Sequence, residues 1–154
     1  MIRVEEYHHD REILLPLFRL ADDSNEQLLA YYDQGDLFVA RVEAAIVGHA
    51  QIISAAEEGV FELKSIAVEP QWQGKGVGSL LIASIIAYCA TRGAAKLIVS
   101  TAAADIDNLR FYQRQGFRMD RIVRDAFGPA QGYAEGISIN SIPLRDQIFF
   151  SMDI

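Results

Sequence analysis

Three glycines at alternate positions separate a strand-like segment from an apolar, helix-like one, and no other feature of the 154-residue chain constrains the fold as strongly. The strand-like segment is Phe61–Val68, the glycines are Gly74, Gly76 and Gly78, and residues 77–91 are apolar nearly all round, as in a helix packed on a sheet. Glycine permits positive φ angles and close ligand approach. Because free N–H groups and the dipole of a helix start favour anions, the segment predicts a phosphate or pyrophosphate site.

Two other phosphate-binding motifs fit this segment poorly. A Walker A loop needs a glycine where Glu69 stands, and Ser or Thr directly after Lys75, where the chain has Gly76. The dinucleotide fingerprint needs G-x-G-x-x-G at the first turn of a βαβ unit, whereas this G-x-G-x-G lies deep in the chain. A glycine-rich turn that binds no ligand is the remaining alternative.

Apolar periodicity along the rest of the chain predicts one α/β domain over residues 1–154 with a mixed sheet. The order is strand, two helices, three strands, helix, strand, helix, strand, long loop, strand. Strands are predicted over 2–7, 37–42, 46–55, 61–68, 96–101, 117–124 and 147–153, and helices from Asp10 to about Leu20, from Ser24 to before Gly35, and over 77–91 and 105–114.

Composition and charge narrow the classes of partner. The formal net charge of -7 argues against nucleic acid, which needs a basic surface, and is compatible with a cationic ligand. No apolar run reaches the ~18 residues that span a membrane, so no membrane partner is expected. A single cysteine, Cys89, and a start without a signal-peptide pattern favour the cytoplasm. His8, His9 and His49 form no spaced ligand set with that cysteine, so no metal is expected.

The glycine-rich segment resembles the signature of the GNAT acetyltransferases. That signature is Gln or Arg, two residues, Gly, one residue, then Gly or Ala, and Gln73, Gly76 and Gly78 stand at these places. Residues 66–70, Ile-Ala-Val-Glu-Pro, look like the family's fourth strand and its exit. A second match follows at residues 111–117, where an aromatic-Tyr pair, three residues and Gly-Phe end a helix and begin a strand, as in the family.

The resemblance implies a GNAT-like acyl-CoA acyltransferase fold, with a mostly antiparallel sheet and flanking helices. It also implies an N-acetyltransferase that moves an acetyl group directly from acetyl-CoA to a primary amine. The turn's amides would hold the pyrophosphate, and the fourth strand would pair with the pantetheine arm. Since Asp105 stands where many relatives carry Asn, Asn108 is the candidate for a further pantetheine contact. The implied cofactor-binding residues are Ile66, Ala67, Val68, Gln73, Gly74, Lys75, Gly76, Val77, Gly78, Ser79 and Asn108.

Tyr112 occupies the place of a family tyrosine whose hydroxyl lies near the CoA sulfur, which implies a general acid for the departing thiolate. With a thiol pKa of ~8.5 and a tyrosine pKa of ~10, proton donation is uphill by only about 2 kcal/mol. A buried site offsets this cost by favouring the neutral thiol. On spacing alone, an aromatic core residue without a catalytic role is the alternative.

The acceptor amine must lose a proton before it attacks. An alkyl amine with a pKa of ~10.4 needs about 4.6 kcal/mol to reach its neutral form at pH 7. Glu62, on the predicted fourth strand, is the first candidate for the base, either directly or through a water chain, and a surface glutamate is the alternative. His49 on the neighbouring strand is the weaker candidate.

Acidic residues around the second predicted helix favour a cationic small-molecule acceptor, such as an aminoglycoside or a polyamine, although a solvated helix face has the same pattern. Residues 126–143, rich in glycine, are expected to cover that site. Protein or peptide amines are alternative acceptors, and a non-catalytic CoA-binding module is the alternative from another class. The resemblance is compatible with a homodimer. The acidic residues around the second predicted helix are Asp22, Asp23, Glu26, Asp33 and Asp36.

Overall fold

A seven-stranded sheet runs through the computed structural model, which describes residues 1–154. The strands are β1 Ile2–Glu6, β2 Asp36–Val42, β3 Ala45–Ser54, β4 Val60–Val68, β5 Lys96–Ala102, β6 Arg118–Val123, β7 Ser138–Ile139, β8 Ile142–Pro143 and β9 Gln147–Asp153. The order in the large sheet is β1-β2-β3-β4-β5-β9-β6, and only the β4–β5 pair is parallel. The mixed, mostly antiparallel sheet is therefore confirmed.

Four helices flank the sheet: α1 Leu15–Ala21, α2 Asn25–Tyr31, α3 Val77–Thr91 and α4 Ile106–Arg114. None of them has the length and apolar character that crossing a membrane requires. The first predicted helix differs in its opening turn, because residues 11–14 wind as a 3-10 turn. Pro16 explains this difference, since proline has no N–H and its ring clashes with the carbonyl four residues earlier in an α-helix.

The first two helical segments bury only a narrow apolar face, although each has adjacent apolar residues. Leu14 and Leu28 are buried, whereas the adjacent apolar residues Ile13 and Leu29 are 62% and 46% exposed. Neighbouring residues in a helix point about 100° apart, so Leu29 cannot share the core position of Leu28. The 3-10 winding likewise leaves Ile13 on the outside.

Strand β2 shows how the sheet separates two apolar cores. Leu37 and Val39 join the core under α1 and α2, while Phe38 and Ala40 join the larger core under α3. This alternation is the period of two that a strand requires. The two helix layers therefore lie on opposite faces, and both reach the middle of the sheet at β4.

The predicted long loop between β6 and β9 carries structure of its own. Residues 129–131 form a 3-10 turn, and β7 and β8 form a small hairpin. Asn140 and Ser141 connect the two strands with φ angles of 52° and 62°, as a two-residue hairpin turn requires. Backbone bonds from residues 126 and 127 to Arg145 close the base of this segment. We call residues 126–143 the acceptor loop.

Candidate active site

Strands β4 and β5 separate halfway along their length. Their parallel pairing ends at Leu63 and Val99, while β4 stays paired with β3 as far as Val68. The N–H of Glu69 still bonds to Val47 on the β3 side, whereas no strand pairs with the opposite edge of β4 after Leu63. Because backbone groups alternate between the two edges of a strand, Val68 faces the opening. This open edge is the feature that an added extended ligand needs.

One group on the open edge is already used by the protein. The side-chain amide of Gln73 donates to the carbonyl oxygen of Val68 at 3.1 Å. Gln73 therefore bends the chain from the end of β4 toward the glycine turn, in addition to lining the cavity there. A role in setting this bend was not part of the sequence-based hypothesis.

Gly74 and Gly76 form an open cradle at the start of α3. Their φ angles are 74° and 85°, and no protein atom lies within 4 Å of a Cβ built at either residue. No side chain caps the first turn of α3, so its leading N–H groups are free for a ligand. The cradle therefore fits a pyrophosphate held by backbone amides and the helix dipole.

Gly78 serves packing in addition to the turn. A Cβ at this residue would lie 3.0 Å from the ring of Phe111, so only glycine lets α4 approach α3 this closely. Nearby, Gln115 donates to the hydroxyl of Ser79 at 3.0 Å. Lys75 differs from the rest of the turn, since its ammonium lies 4.9 Å from the ring centroid of Trp72 and its side chain does not line the cavity.

Helix α4 places Tyr112 at the inner wall of the opening. The residue is only 3% exposed, and its ring lies 5.8 Å from that of Phe117 and 5.7 Å from that of Phe150. Burial, and then the negative charge of Asp105, raise the pKa of Tyr112 above its ordinary value. The hydroxyl therefore keeps its proton across the physiological range and can act as a donor.

Asn108 also faces the opening, although its polar atoms are partly engaged. Its side-chain amide donates to the hydroxyl of Thr101 at 3.1 Å, and its backbone N–H donates to Asp105 at 3.0 Å. Asp105 is therefore the N-cap of α4. The amide oxygen of Asn108 takes no part in these two bonds.

A cavity of about 1170 Å³ joins these features to the acceptor loop. We call the part lined by the glycine turn, the open edge of β4 and α4 the cofactor half. We call the part lined by the α1–α2 corner, the first half of β4 and the acceptor loop the acceptor half. The cavity brings together these residues proposed from the sequence: Glu62, Ile66, Ala67, Val68, Gln73, Gly74, Gly76, Val77, Gly78, Ser79, Asn108 and Tyr112.

The predicted acidic cluster does not form one surface. Asp22 and Asp23 line the acceptor half, whereas Asp33 and Asp36 do not reach the cavity, and Asp36 accepts a hydrogen bond from Tyr88. Burial, and then the charges of Asp22 and Asp105, raise the pKa of Asp23. Only Asp22 and Asp23 of the five acidic residues therefore reach the cavity, because the chain carries the others to different sides of α2.

The acceptor loop docks on the α1–α2 corner through side chains far apart in sequence. Asp22 accepts hydrogen bonds from the hydroxyls of Tyr31 at 2.9 Å and Tyr133 at 2.8 Å. Ser24 donates to the carbonyl of Gly132 at 2.8 Å. Tyr133 also packs edge-on against Phe127 at 5.1 Å between ring centroids. The acceptor half is thus walled by aromatic rings that one carboxylate holds in place.

Asp22→Ala is expected to loosen this wall. The substitution leaves two tyrosine hydroxyls without their charged acceptor. A hydrogen bond to a charged group contributes about 1.5–3 kcal/mol to the free energy of unfolding. We expect a lower melting temperature and faster proteolysis within residues 126–143. The matched control is Asp33→Ala, on an exposed residue outside the cavity. Equal melting and proteolysis of the two variants would show that Asp22 does not hold the loop.

His49, the weaker candidate for the base, is not placed to reach the acceptor. It is fully buried, does not line the cavity, and has its Nε2 2.8 Å from the hydroxyl of Ser65. Burial lowers the pKa of His49 to about 3, so the ring stays neutral.

Cys89 is not placed as a nucleophile. It is buried, and burial raises the pKa of its thiol to about 11, which makes it a poor nucleophile.

Several cavity residues were missed by the sequence analysis. They are the aromatic residues of α2 and the acceptor loop, a tryptophan before the glycine turn, and a lysine on β4. Only the tryptophan had a usable signal, its place inside the glycine-rich segment. The missed residues are Tyr31, Lys64, Trp72, Phe127 and Tyr133.

A strand edge open to an extended arm, a backbone cradle for a pyrophosphate and a separate acceptor chamber define a coenzyme A-dependent acyltransferase. The chain belongs to the acetyltransferase (GNAT) family, whose model matches residues 4–117. It is an N-acetyltransferase that uses acetyl-CoA. No group of three or more His, Cys, Asp or Glu side chains is placed to hold a metal ion.

Relatives agree with this assignment over nearly the whole chain. The chain is 29% identical over 153 residues to the uncharacterized N-acetyltransferase YvbK of Bacillus subtilis strain 168, covering 99% of this chain and 97% of the relative. A Bacillus subtilis acetyltransferase in complex with CoA superposes with a TM-score of 0.90 at 28% identity, covering 100% and 99% of the two chains. A GNAT acetyltransferase from Elizabethkingia anophelis with acetyl-CoA bound gives 0.90 at 28%, covering 99% and 98%.

Proposed function

We propose that the enzyme acetylates the primary amine of a small molecule that is cationic at that amine. The observation that carries the proposal is the acceptor half of the cavity. Asp23 and Glu62 line it together with aromatic rings, and the acceptor loop covers it. Carboxylates in a partly desolvated chamber attract an ammonium group more strongly than the same groups in water.

In the proposed complex, acetyl-CoA lies along the cofactor half. The amides of residues 73–79 hold the pyrophosphate, and the open edge at residues 66–68 pairs with the pantetheine arm. Asn108 offers its amide oxygen to the same arm. Lys75 contributes only its backbone, since its side chain turns onto Trp72. The free N–H groups of the uncapped α3 start support this arrangement.

The proposed reaction is a direct transfer. The neutral amine attacks the thioester carbonyl, a C–N bond forms, and the C–S bond breaks. Glu62, directly or through water, takes the proton that the ammonium loses. Tyr112 gives its proton to the leaving thiolate. The proton that the attacking nitrogen loses as it becomes an amide returns through water to Tyr112, and solvent takes the proton held by Glu62. A raised tyrosine pKa makes this donation harder, but the burial that raises it also raises the pKa of the thiol.

Glu62→Gln is expected to slow acetyl transfer about tenfold or more at pH 7, with the deficit shrinking as pH rises. The reason is that the neutral fraction of an alkyl amine rises as the pH approaches its pKa of ~10.4, so a general base contributes less to the rate. The measurement is a pH–rate profile of CoA release for the wild type and the variant. Glu58→Gln, on an exposed residue outside the cavity, is the control. Profiles of the same shape for wild type and Glu62→Gln would remove Glu62 as the base.

The acceptor class is tested by CoA release with a panel of amines. The panel holds multiply charged amines, represented by aminoglycosides and polyamines, amines with one charge, represented by amino acids, and peptides with free N-termini. The proposal expects turnover with at least one small molecule. Turnover only with peptides or proteins would replace it by the macromolecular alternative. The non-catalytic CoA-binding module is set aside, because the chain belongs to a family of N-acetyltransferases.

Two further expectations complete the proposal. A cytoplasmic location is supported by the single cysteine, which is buried and free. A homodimer is supported by the edge strand β6, on which Met119 and Ile122 are 53% and 65% exposed. The solution mass from light scattering distinguishes a monomer from a dimer.

A further inference from the structure

Lys64 is the extra residue of a bulge in β4. Gln51 of β3 pairs with Ser65, and the next residue, Ile52, pairs with Leu63, so Lys64 has no opposite residue. A bulge re-aims the side chain of the residue that it adds, and bulges are frequent beside active sites. Lys64 lines the cavity, with its ammonium 4.9 Å from the ring centroid of Tyr31, a wall of the acceptor half.

No carboxylate of the protein neutralises this ammonium. Glu62 lines the same cavity two residues away, yet Lys64 forms no ion pair within 4.0 Å. The other two cations of the cavity wall, Arg110 and Arg114, lie on α4 in the cofactor half. Lys64 is therefore the one cation of the acceptor half, half-buried and available to an anion of the ligand.

We propose that Lys64 selects acceptors that carry an anionic group, in the simplest case a carboxylate, beside the primary amine. This inference rests on the proposed function and narrows it. Asp23 and Glu62 attract the ammonium end of such a zwitterion, and Lys64 pairs with its anionic end. A polyamine or an aminoglycoside would instead place a second positive charge against Lys64, since these molecules have no anion to offer.

The aromatic wall indicates what lies between or beside the two charged ends. Tyr31, Phe127 and Tyr133 line the acceptor half. An apolar or aromatic substituent would pack on these rings, and aromatic pairs prefer the edge-to-face and offset arrangements that such walls provide. An amino acid with an aromatic side chain is therefore a suitable probe of the chamber.

The test compares three acceptors that share a ring and a primary amine: phenylalanine, phenylalaninamide and 2-phenylethylamine. CoA release from acetyl-CoA is measured with wild type, Lys64→Met, Lys64→Arg and the control Lys96→Met, whose lysine lies outside the cavity. Amine pKa differences between the acceptors cancel when each variant's preference is divided by that of the wild type. We expect Lys64→Met to lose about tenfold of the preference for phenylalanine over its amide, and Lys64→Arg to retain it.

The outcomes separate this inference from the proposed function. An unchanged preference in Lys64→Met overturns the role of Lys64 even if acetylation proceeds. Turnover confined to amines without an anion overturns it as well. If no amine is acetylated, the proposed function fails, and Lys64 is then judged by calorimetry of the CoA-loaded protein with phenylalanine. Affinity that drops about tenfold in Lys64→Met supports the anion contact, and no binding or equal binding overturns it.

Discussion

Gly76→Glu is expected to abolish acetyl-CoA binding, with affinity falling about 100-fold or more. The space around a Cβ at this position is empty of protein atoms, so the new side chain enters the volume that we assign to the pyrophosphate. Its charge would then lie near the phosphates in a partly desolvated site, where like charges repel by several kcal/mol. Calorimetric titration of acetyl-CoA into the purified protein measures the loss directly.

The matched control for this experiment is Gly93→Glu, at the other end of α3. Gly93 has a φ of 70° and no protein atom within 4 Å of a Cβ, so the two substitutions carry similar backbone strain. Only Gly76 lines the cavity. Full binding by both variants would contradict a pyrophosphate site at the glycine turn. Loss of binding in both would indicate that backbone strain, and not a clash in the ligand site, causes the loss.

Tyr112→Phe is expected to lower kcat by about 100-fold while leaving acetyl-CoA affinity within a few fold of wild type. The substitution keeps the ring that packs on Phe117 and Phe150 and removes only the hydroxyl. Loss of a proton donor acts on the thiolate that forms during transfer, so it affects turnover and not binding of the thioester. Steady-state kinetics and calorimetry on the same preparation separate the two effects.

Tyr88→Phe is the control for Tyr112→Phe, because Tyr88 is also a largely buried tyrosine but does not line the cavity. Burial keeps the pKa of Tyr112 above its ordinary value, so the wild-type rate should show no titration of this group between pH 6 and 9. A Tyr112→Phe rate equal to that of wild type would assign the hydroxyl a packing role and leave protonation of the thiolate to water.

Much of the fold could be predicted because its signals are local. The period of two in β2, the apolar length of α3 and the glycine that ends α4 are each encoded within about fifteen residues. The 3-10 turn before α1 and the Asn140-Ser141 hairpin were missed, although Pro16 and Asn140 carried weak signals for them. Both signals were short, and longer apolar patterns around them dominated the interpretation.

The candidate site also combines features that are local in sequence with features that join distant residues. The glycine turn and Tyr112 lie in contiguous motifs that resemble the GNAT signatures, so the resemblance predicted Gly76 and Tyr112 in one site, and both line the cavity. The sequence indicated that residues 126–143 cover the acceptor site but not which side chains meet there, because the contact between Asp22 and Tyr133 joins residues 111 positions apart. A hydrogen bond between residues so far apart in sequence depends on the tertiary fold. In that fold β9 lies between β5 and β6, and the acceptor loop that precedes β9 reaches the α1–α2 corner.

The sequence by itself determined the family, the order of the elements, the glycine cradle and the cosubstrate, since these depend on residues close together in the chain. Only the tertiary structure decided which carboxylates line the cavity, that His49 is buried away from it, and that Lys64 lines it. The physical reason is register. The direction of Lys64 is set by a one-residue shift between β3 and β4, and no local pattern specifies which residue of a strand is left unpaired.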